Sequence, residues 1–445
     1  MNYKTPFSDL NNKVVSYLLI FIPISLITGP FLSDLSVTII SLITLYHILR
    51  NKDFEIFKNL LIKIFFLFWI NSTIITLYNY FKGDILLETS SLINSLGYLR
   101  FIFFTIGFAK ILSENKKIFS FLFYSLGICF FFLIIDSYIQ LIFNENILNN
   151  AKHVSGRISS FFGDELIMGS YIVKLLFIFL GLYFFLDFKK KSTKIFFNSL
   201  IFLVSTIIFL SGERSAIILL LIGFVTTLGI IRFPIKKVIF SFFLLFLTIL
   251  ILLNVDSDLK KRFVDKTLFE SGISSTQTHQ ILNGVKYTFF TQQINYYLTS
   301  YNIFKDNYFG TGNRSFSKVC KKYRADKSFH YDFNFSKKER PTQSCSTHPH
   351  NTYMQVLAEN GFLGFFILIA IFFIICYLLI NQFYLRLKGK ILYPKLINLN
   401  LITIFLNFFP LIQTGNFFNN WLSILYYIPI GFFLYFLNEK KFQNN

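Results

Sequence analysis

The segment Thr347-His348-Pro349-His350-Asn351 sets two imidazoles, the side chains best suited to move a proton near neutral pH, two residues apart and beside an asparagine amide. Asn351 suits the cap position of a helix. Pro349 keeps the chain before it out of helix. A helix is therefore expected to begin just after Asn351, with His350 at its mouth. The positive end of the helix dipole disfavours an imidazolium there, and neutral imidazole is the form a general base needs. Asn351, Gln355 and Glu359 follow at i, i+4 and i+8, a polar stripe on one helix face. Glu359 facing lipid would be costly, so the stripe is expected to point into the protein. Gly361 and Gly364 follow and allow close helix packing. A histidine and amide cap that ties down a helix end accounts for the same residues.

Three arginines have the chemistry to hold an anion. Arg214 lies in Ser211-Gly212-Glu213-Arg214, a very short turn between two strongly apolar runs. A guanidinium at a helix start, with backbone N–H groups beside it, can grip a phosphate. The Ser-Gly break favours that reading over a snorkelling arginine. Arg157 follows His153-Val154-Ser155-Gly156, and reads equally as a phosphate ligand or an ordinary loop arginine. Arg314 ends Phe309-Gly310-Thr311-Gly312-Asn313-Arg314, where glycines permit a tight turn with exposed N–H groups. No lysine follows at phosphate-loop spacing. Cys320 and Cys345 are the cysteines outside the apolar runs, and a disulfide between them is favoured. A zinc site from Cys320, Cys345, His348 and His350 is the weaker alternative. The histidines stand only two apart, and no paired-cysteine spacing accompanies them. No metal or cofactor is expected.

These groups must be carried by membrane helices. The chain has 445 residues, 54% of them hydrophobic and only 15% charged. A soluble domain carries about 25% charged residues. Apolar runs of spanning length lie near 14–31, 33–49, 59–80, 92–112, 118–143, 166–186, 195–211, 215–232, 237–254, 352–380, 396–411 and 421–438. They are continuous rather than alternating, which argues against a β-barrel. The expectation is an all-α polytopic membrane protein of about twelve transmembrane helices. Residues 1–254 hold nine of them, 255–350 form one long loop before the tenth, and 351–445 hold the last three.

The net charge is 43 − 23 = +20. In a soluble protein that would suggest nucleic acid. Here the basic residues collect in every second short loop, as at Arg50 and Lys52, Lys116 and Lys117, Lys189 to Lys191, Arg232 and Lys236, and Arg386 to Lys390. The positive-inside rule then makes both termini cytoplasmic and excludes nucleic acid as the reason. The loop near 144–165, the turn at 211–214 and the segment 255–350 consequently face outward together. That long segment has 15 Lys and Arg against 8 Asp and Glu, a basic outer face suited to an anionic lipid-linked ligand. Lying on anionic headgroups would explain the same charge. No internal repeat is apparent. A major-facilitator carrier would place its main loop after the sixth span, between similar halves.

These motifs resemble the O-antigen ligase and polymerase superfamily. The family pattern is His, then Asn, Ser or Gln, nine residues, Gly, two residues, then Gly, Thr or Tyr. Here His350-Asn351 is followed by nine residues and by Gly361-Phe362-Leu363-Gly364. The wider form with His348, Gln355 and Glu359 is equally typical. Ser211-Gly212-Glu213-Arg214 is similar to the family's Ser-Arg turn, and Gly310-Thr311-Gly312 to its glycine turn. The resemblance implies a glycosyltransferase of the bacterial inner membrane. Members take a glycan from undecaprenyl diphosphate on the periplasmic side. Ligases pass it to lipid A-core, and polymerases pass it to another lipid-linked repeat. Ligation is the first expectation, with O-antigen polymerisation as the alternative.

The roles the resemblance implies are His350 as base and Arg214 as principal diphosphate ligand, with transfer by inversion. Arg157, Arg314, His348, Asn351, Gln355 and Glu359 are expected around the substrates. Ligases of the family usually carry a second arginine roughly twenty residues before the glycine turn. This chain reads Phe290-Thr291-Gln292-Gln293-Ile294 there, which leaves Arg314, Arg157 or a different hold on the donor to take its place. A non-enzymatic carrier or flippase for lipid-linked glycan would need charges lining a path through the bundle. Lys63, Lys174, Asp136 and Glu359 are few for that.

Overall fold

The computed structural model describes residues 5–83, 87–265, 290–323, 345–390 and 393–443. The parts of the long loop at 266–289 and 324–344 lie outside the described residues. Fourteen helices of nine residues or more occur among those described, and no β-strand. They are α1 (Asp9–Thr28), α2 (Pro30–Asn51), α3 (Leu60–Lys82), α4 (Thr89–Gly97), α5 (Arg100–Glu114), α6 (Lys117–Phe143) and α7 (Met168–Leu186). There follow α8 (Lys191–Leu210), α9 (Arg214–Ile230), α10 (Ile235–Val255), α11 (Phe290–Asp306), α12 (Thr352–Leu387), α13 (Lys395–Asn407) and α14 (Asn420–Gln443).

Ten segments among the described residues are long and apolar enough to cross a membrane, with α4 and α5 together forming one of them. α9 and α13 are shorter apolar helices, at two places where the sequence led us to expect spans. The apolar stretch of α10 has no buried residue, and Phe240, Phe243 and Phe246 point away from the protein. Each such ring left in water would forgo about 2 kcal/mol. Dozens of other large apolar side chains are exposed in the same way, so lipid is the solvent this surface requires. The protein is an all-α polytopic membrane protein.

The inner helices are held by close aromatic packing. α5 sits between α2 and α14, and α7 packs along α13. Phe101 stacks on Tyr427 with ring centres 5.2 Å apart, and Phe108 meets Phe432 edge-on at 5.0 Å. Phe7 near the chain start bonds through its N–H to Glu114, and Lys116 pairs with Glu439 at 2.8 Å. Phe7 and Glu439 therefore lie at the same end of the bundle. α1 runs from there to Thr28, at the opposite end.

Two of the apolar runs are interrupted. The run expected at 92–112 breaks at Tyr98 and Leu99, between α4 and α5. In α12 the helix breaks at Gly361, with φ 64° and ψ −164°. The glycine turn causes this second break by approaching α12 with its backbone. Thr311 N donates to the Ala358 carbonyl at 3.1 Å, Gly312 N to the Glu359 carbonyl at 2.8 Å, and Phe362 N to the Tyr308 carbonyl at 3.0 Å. A Cβ on Gly361 would stand 2.3 Å from the Phe309 carbonyl carbon. Only glycine fits that position.

Candidate active site

At the end of the bundle away from the chain termini lies a cavity of about 1450 Å³. Its wall combines the α1–α2 junction, the loop before α7, the Ser211–Arg214 turn, Arg262, Arg314, the His348–His350 segment and the stretch before α14. Leu26, Leu219, Leu406 and Leu422 give it an apolar side. One space thus joins an apolar surface and a cationic one.

The arginine side is built around Gly212, whose φ of +66° turns the chain between α8 and α9. Arg157 and Arg262 press on it from two sides. A Cβ there would meet Arg157 Cγ at 2.9 Å and Arg262 Nε at 3.1 Å. Arg157 Nε donates to the Ser211 carbonyl at 3.0 Å, and its Nη2 donates to the Leu166 carbonyl at 2.8 Å. Arg262 Nε donates to the Gly212 carbonyl at 2.6 Å. Arg214 opens α9 and donates from Nη2 to the Arg262 carbonyl at 2.8 Å. Arg157, Arg214 and Arg262 thus meet around the Gly212 turn and form one guanidinium cluster on the cavity wall.

Glu213 is the acid of this cluster, and it is turned to another task. Its carboxylate accepts from Gly169 N at 2.7 Å and Ser170 N at 3.1 Å, closing the exposed N–H groups at the start of α7. Ser170 Oγ donates to it at 2.5 Å, and Arg157 stands 3.8 Å away. Burial pushes its carboxyl up, against the Ser170 hydroxyl and the Arg157 charge.

The histidine side is set by Asn351. Its side chain accepts from Tyr353 N at 3.0 Å and Met354 N at 3.1 Å, so it caps α12 at the expected place. Its amide also donates to the Pro410 carbonyl at 2.7 Å. The His348 and His350 rings lie 4.2 Å apart between centres. His348 Nε2 contacts the Thr414 carbonyl at 3.3 Å, and its Nδ1 contacts Thr347 Oγ1 at 2.9 Å. His350 Nε2 is 3.4 Å from Ser346 Oγ. Burial lowers both imidazoles, and the His350 ring adds to the effect on His348, which falls to about 4. Both are neutral at pH 7.

Arg314 completes this side of the cavity. It and His350 hold positive φ of 57° and 55°, a backbone region few side chains enter. The Arg314 N–H donates to Glu359 Oε2 at 3.1 Å, and its Nη2 donates to the Phe418 carbonyl at 2.8 Å. Thr414 N donates to the His350 carbonyl at 3.0 Å. These bonds hold two strained residues at the cavity.

The structure brings together Arg157, Arg214, Arg314, His348 and His350, and leaves other expected residues outside the cavity. Gln355 and Glu359 are fully buried beneath it. Glu359 accepts from Arg314 N, from Phe316 N at 3.0 Å and from Gln355 Nε2 at 3.0 Å. Gln355 Oε1 accepts from Phe417 N at 2.9 Å. Their polar atoms pin the glycine turn and the segment before α14 rather than face a ligand. Asn351 is likewise engaged by the protein itself. Cys320 and Cys345 are joined in a disulfide with Cα atoms 5.3 Å apart, which removes both as zinc ligands and ties the short Phe316–Val319 helix to the histidine segment.

Arg262 is the cavity residue that sequence reasoning missed. It stands in Lys260-Lys261-Arg262, seven residues past α10, and nothing in that basic run singles it out. Its backbone carbonyl and guanidinium both serve the Gly212 turn, a contact across 50 residues.

No curated protein matches the chain. Residues 199–369 match the family model described as O-antigen ligase. The matched stretch contains the Gly212 turn, Arg214, Arg262, Arg314, both histidines and the Gly361 break. Over this stretch, less than half of the chain, the protein is similar to the O-antigen ligase and polymerase superfamily, which supports glycan transfer of the ligase and polymerase type.

Proposed function

We propose that the protein transfers a glycan from undecaprenyl diphosphate to an acceptor sugar in this cavity, acting first as an O-antigen ligase on lipid A-core. The observation that carries the reading is the guanidinium cluster of Arg157, Arg214 and Arg262 in one cavity with His348, His350 and an apolar wall. Clustered basic residues at the opposite end of the bundle support a periplasmic cavity in the inner membrane, with both termini cytoplasmic.

In this reading an acceptor hydroxyl attacks the anomeric carbon of the donor sugar. The bond from that carbon to the diphosphate oxygen breaks, and its electron pair leaves on the diphosphate. Arg214, Arg157 and Arg262 stabilise the charge that develops there. The hydroxyl proton passes to His350. Ser346 commits its own proton to the His348 carbonyl at 2.5 Å, so toward His350 Nε2 it acts as acceptor. In this reading Nε2 carries the ring proton and Nδ1 takes the proton from the acceptor. Attack from the face opposite the diphosphate inverts the anomeric carbon. Asn351, Gln355 and Glu359 act as positioning residues, because they hold the cap and the turns that present His350 and Arg314.

The experiment is the glycolipid profile of a deletion strain complemented by wild type or by His350→Ala. Bare core with accumulated lipid-linked polymer in the mutant identifies the ligase. Core carrying a single repeat identifies the polymerase instead and overturns ligation.

The pH dependence follows from burial. A base must be neutral to work, and burial lowers the His350 value from the usual 6.5. Activity is present above the lowered value and is lost as pH falls through it. The acid limb of the kcat/KM profile is expected below pH 6.5, and a limb at or above that value contradicts the assignment.

A further inference from the structure

Lys174 has no part in this mechanism, yet it lines the same cavity. It lies six residues into α7, about 9 Å along the axis from the helix start. α7 is one of the helices of spanning length, and Lys174 is 6% exposed. Among the described residues its Nζ donates one hydrogen bond, to Asn407 Oδ1 at 2.8 Å, and stands 4.9 Å from the centre of the Tyr426 ring. An ammonium carries three donors, and neither an amide nor a phenol ring supplies a formal negative charge. Glu213 is the acid whose field reaches it. That carboxylate is already engaged by Gly169, Ser170 and Arg157. A charge at membrane depth is costly unless an anion or a wet polar path accompanies it.

The surroundings say what anion fits. Leu219, Leu406 and Leu422 share the cavity wall with Lys174, whereas the three clustered arginines lie outside the interiors of the long helices, Arg214 being the first residue of α9. An anion reaching Lys174 must therefore be carried by an apolar tail. A compact ammonium is a point-charge partner for phosphate. We propose that Lys174 binds the lipid-side phosphate of a polyprenyl phosphate or diphosphate, leaving the sugar-side phosphate to the arginines. Lys174 would then fix the direction in which the diphosphate lies and hold the anomeric carbon toward His350. The identity of the lipid rests on the glycan-transfer reading. The demand of a buried ammonium for an anion does not.

The test is lipid binding by the full-length protein in nanodiscs, without acceptor. The probes are undecaprenyl monophosphate and undecaprenyl diphosphate, and the variants are Lys174→Gln and Arg214→Ala. Loss of a charge-assisted contact is expected to weaken Lys174→Gln binding of both lipids about tenfold or more. Arg214→Ala is expected to weaken the diphosphate selectively and leave the monophosphate near wild type. A folded Lys174→Gln protein that binds both lipids as wild type does overturns the proposal. Asn407→Asp gives an independent result if the glutamine variant does not fold. It sets a carboxylate beside the ammonium in competition with phosphate. Weakened binding of both lipids supports the site, and unchanged binding overturns it. A wild type that binds lipid diphosphate but joins no glycan would sink the transfer reading and leave this one standing.

Discussion

Replacing His350 by asparagine is expected to lower glycan transfer by about two to four orders of magnitude, the range of a lost general base. Asparagine is the sharper variant because it enters the left-handed backbone region readily. The residue there has φ 55°, so alanine would add a backbone cost to the lost imidazole. The Thr414 N–H bond to the residue 350 carbonyl is kept in both variants. Insertion and thermal stability of His350→Asn should match wild type. The donor affinity should also hold, since the arginine cluster is untouched. A variant with near-wild-type turnover would remove His350 from the chemistry, and His348 would be the next residue to examine.

Gly361→Ala should have a large effect for a single added methyl. The backbone at φ 64° and ψ −164° belongs to glycine alone, at a strain of about 1–3 kcal/mol for other residues. The added carbon would also meet the Phe309 carbonyl carbon at 2.3 Å and the Tyr308 carbonyl oxygen at 2.5 Å. Neither is a flexible side-chain end, so the whole glycine turn must move. Arg314 is held by that turn and by Glu359, and would leave its place in the cavity. The expected result is a large fall in the unfolding temperature or in folded yield, with transfer lost alongside. Gly97→Ala is the control. A Cβ there meets nothing within 4 Å and sits in helix, where alanine is favoured by about 1 kcal/mol. Equal stability of the two variants would contradict the account of the break.

The apolar runs made the class and nearly all helix positions legible, because spanning length is a property of continuous sequence. The break between α4 and α5 was not legible, since Tyr98 and Leu99 continue the apolar run and a single glycine such as Gly97 is tolerated within a helix. Gly361 was visible as a residue permitting close approach, but the neighbour it admits comes from residues 308–312, some fifty positions earlier. Gln355 and Glu359 illustrate the same limit. Their i, i+4 spacing shows a polar face, and spacing cannot say whether a ligand or another turn of the chain covers it. Here the Arg314 and Phe316 N–H groups cover Glu359. Arg214, Arg157 and the histidines could be singled out because each stands beside a break in an apolar or helical pattern. Arg262 stands among ordinary basic residues and gains meaning only when the fold brings it to Gly212.

The central claim is that this cavity joins a glycan to an acceptor by direct displacement. It is tested most directly by giving the purified protein a synthetic undecaprenyl-diphosphate glycan and a lipid A-core acceptor, and reading the new linkage by NMR. The account predicts a joined product with inverted anomeric configuration from wild type, and almost none from His350→Asn. Retention of configuration, or equal product from both proteins, would contradict it.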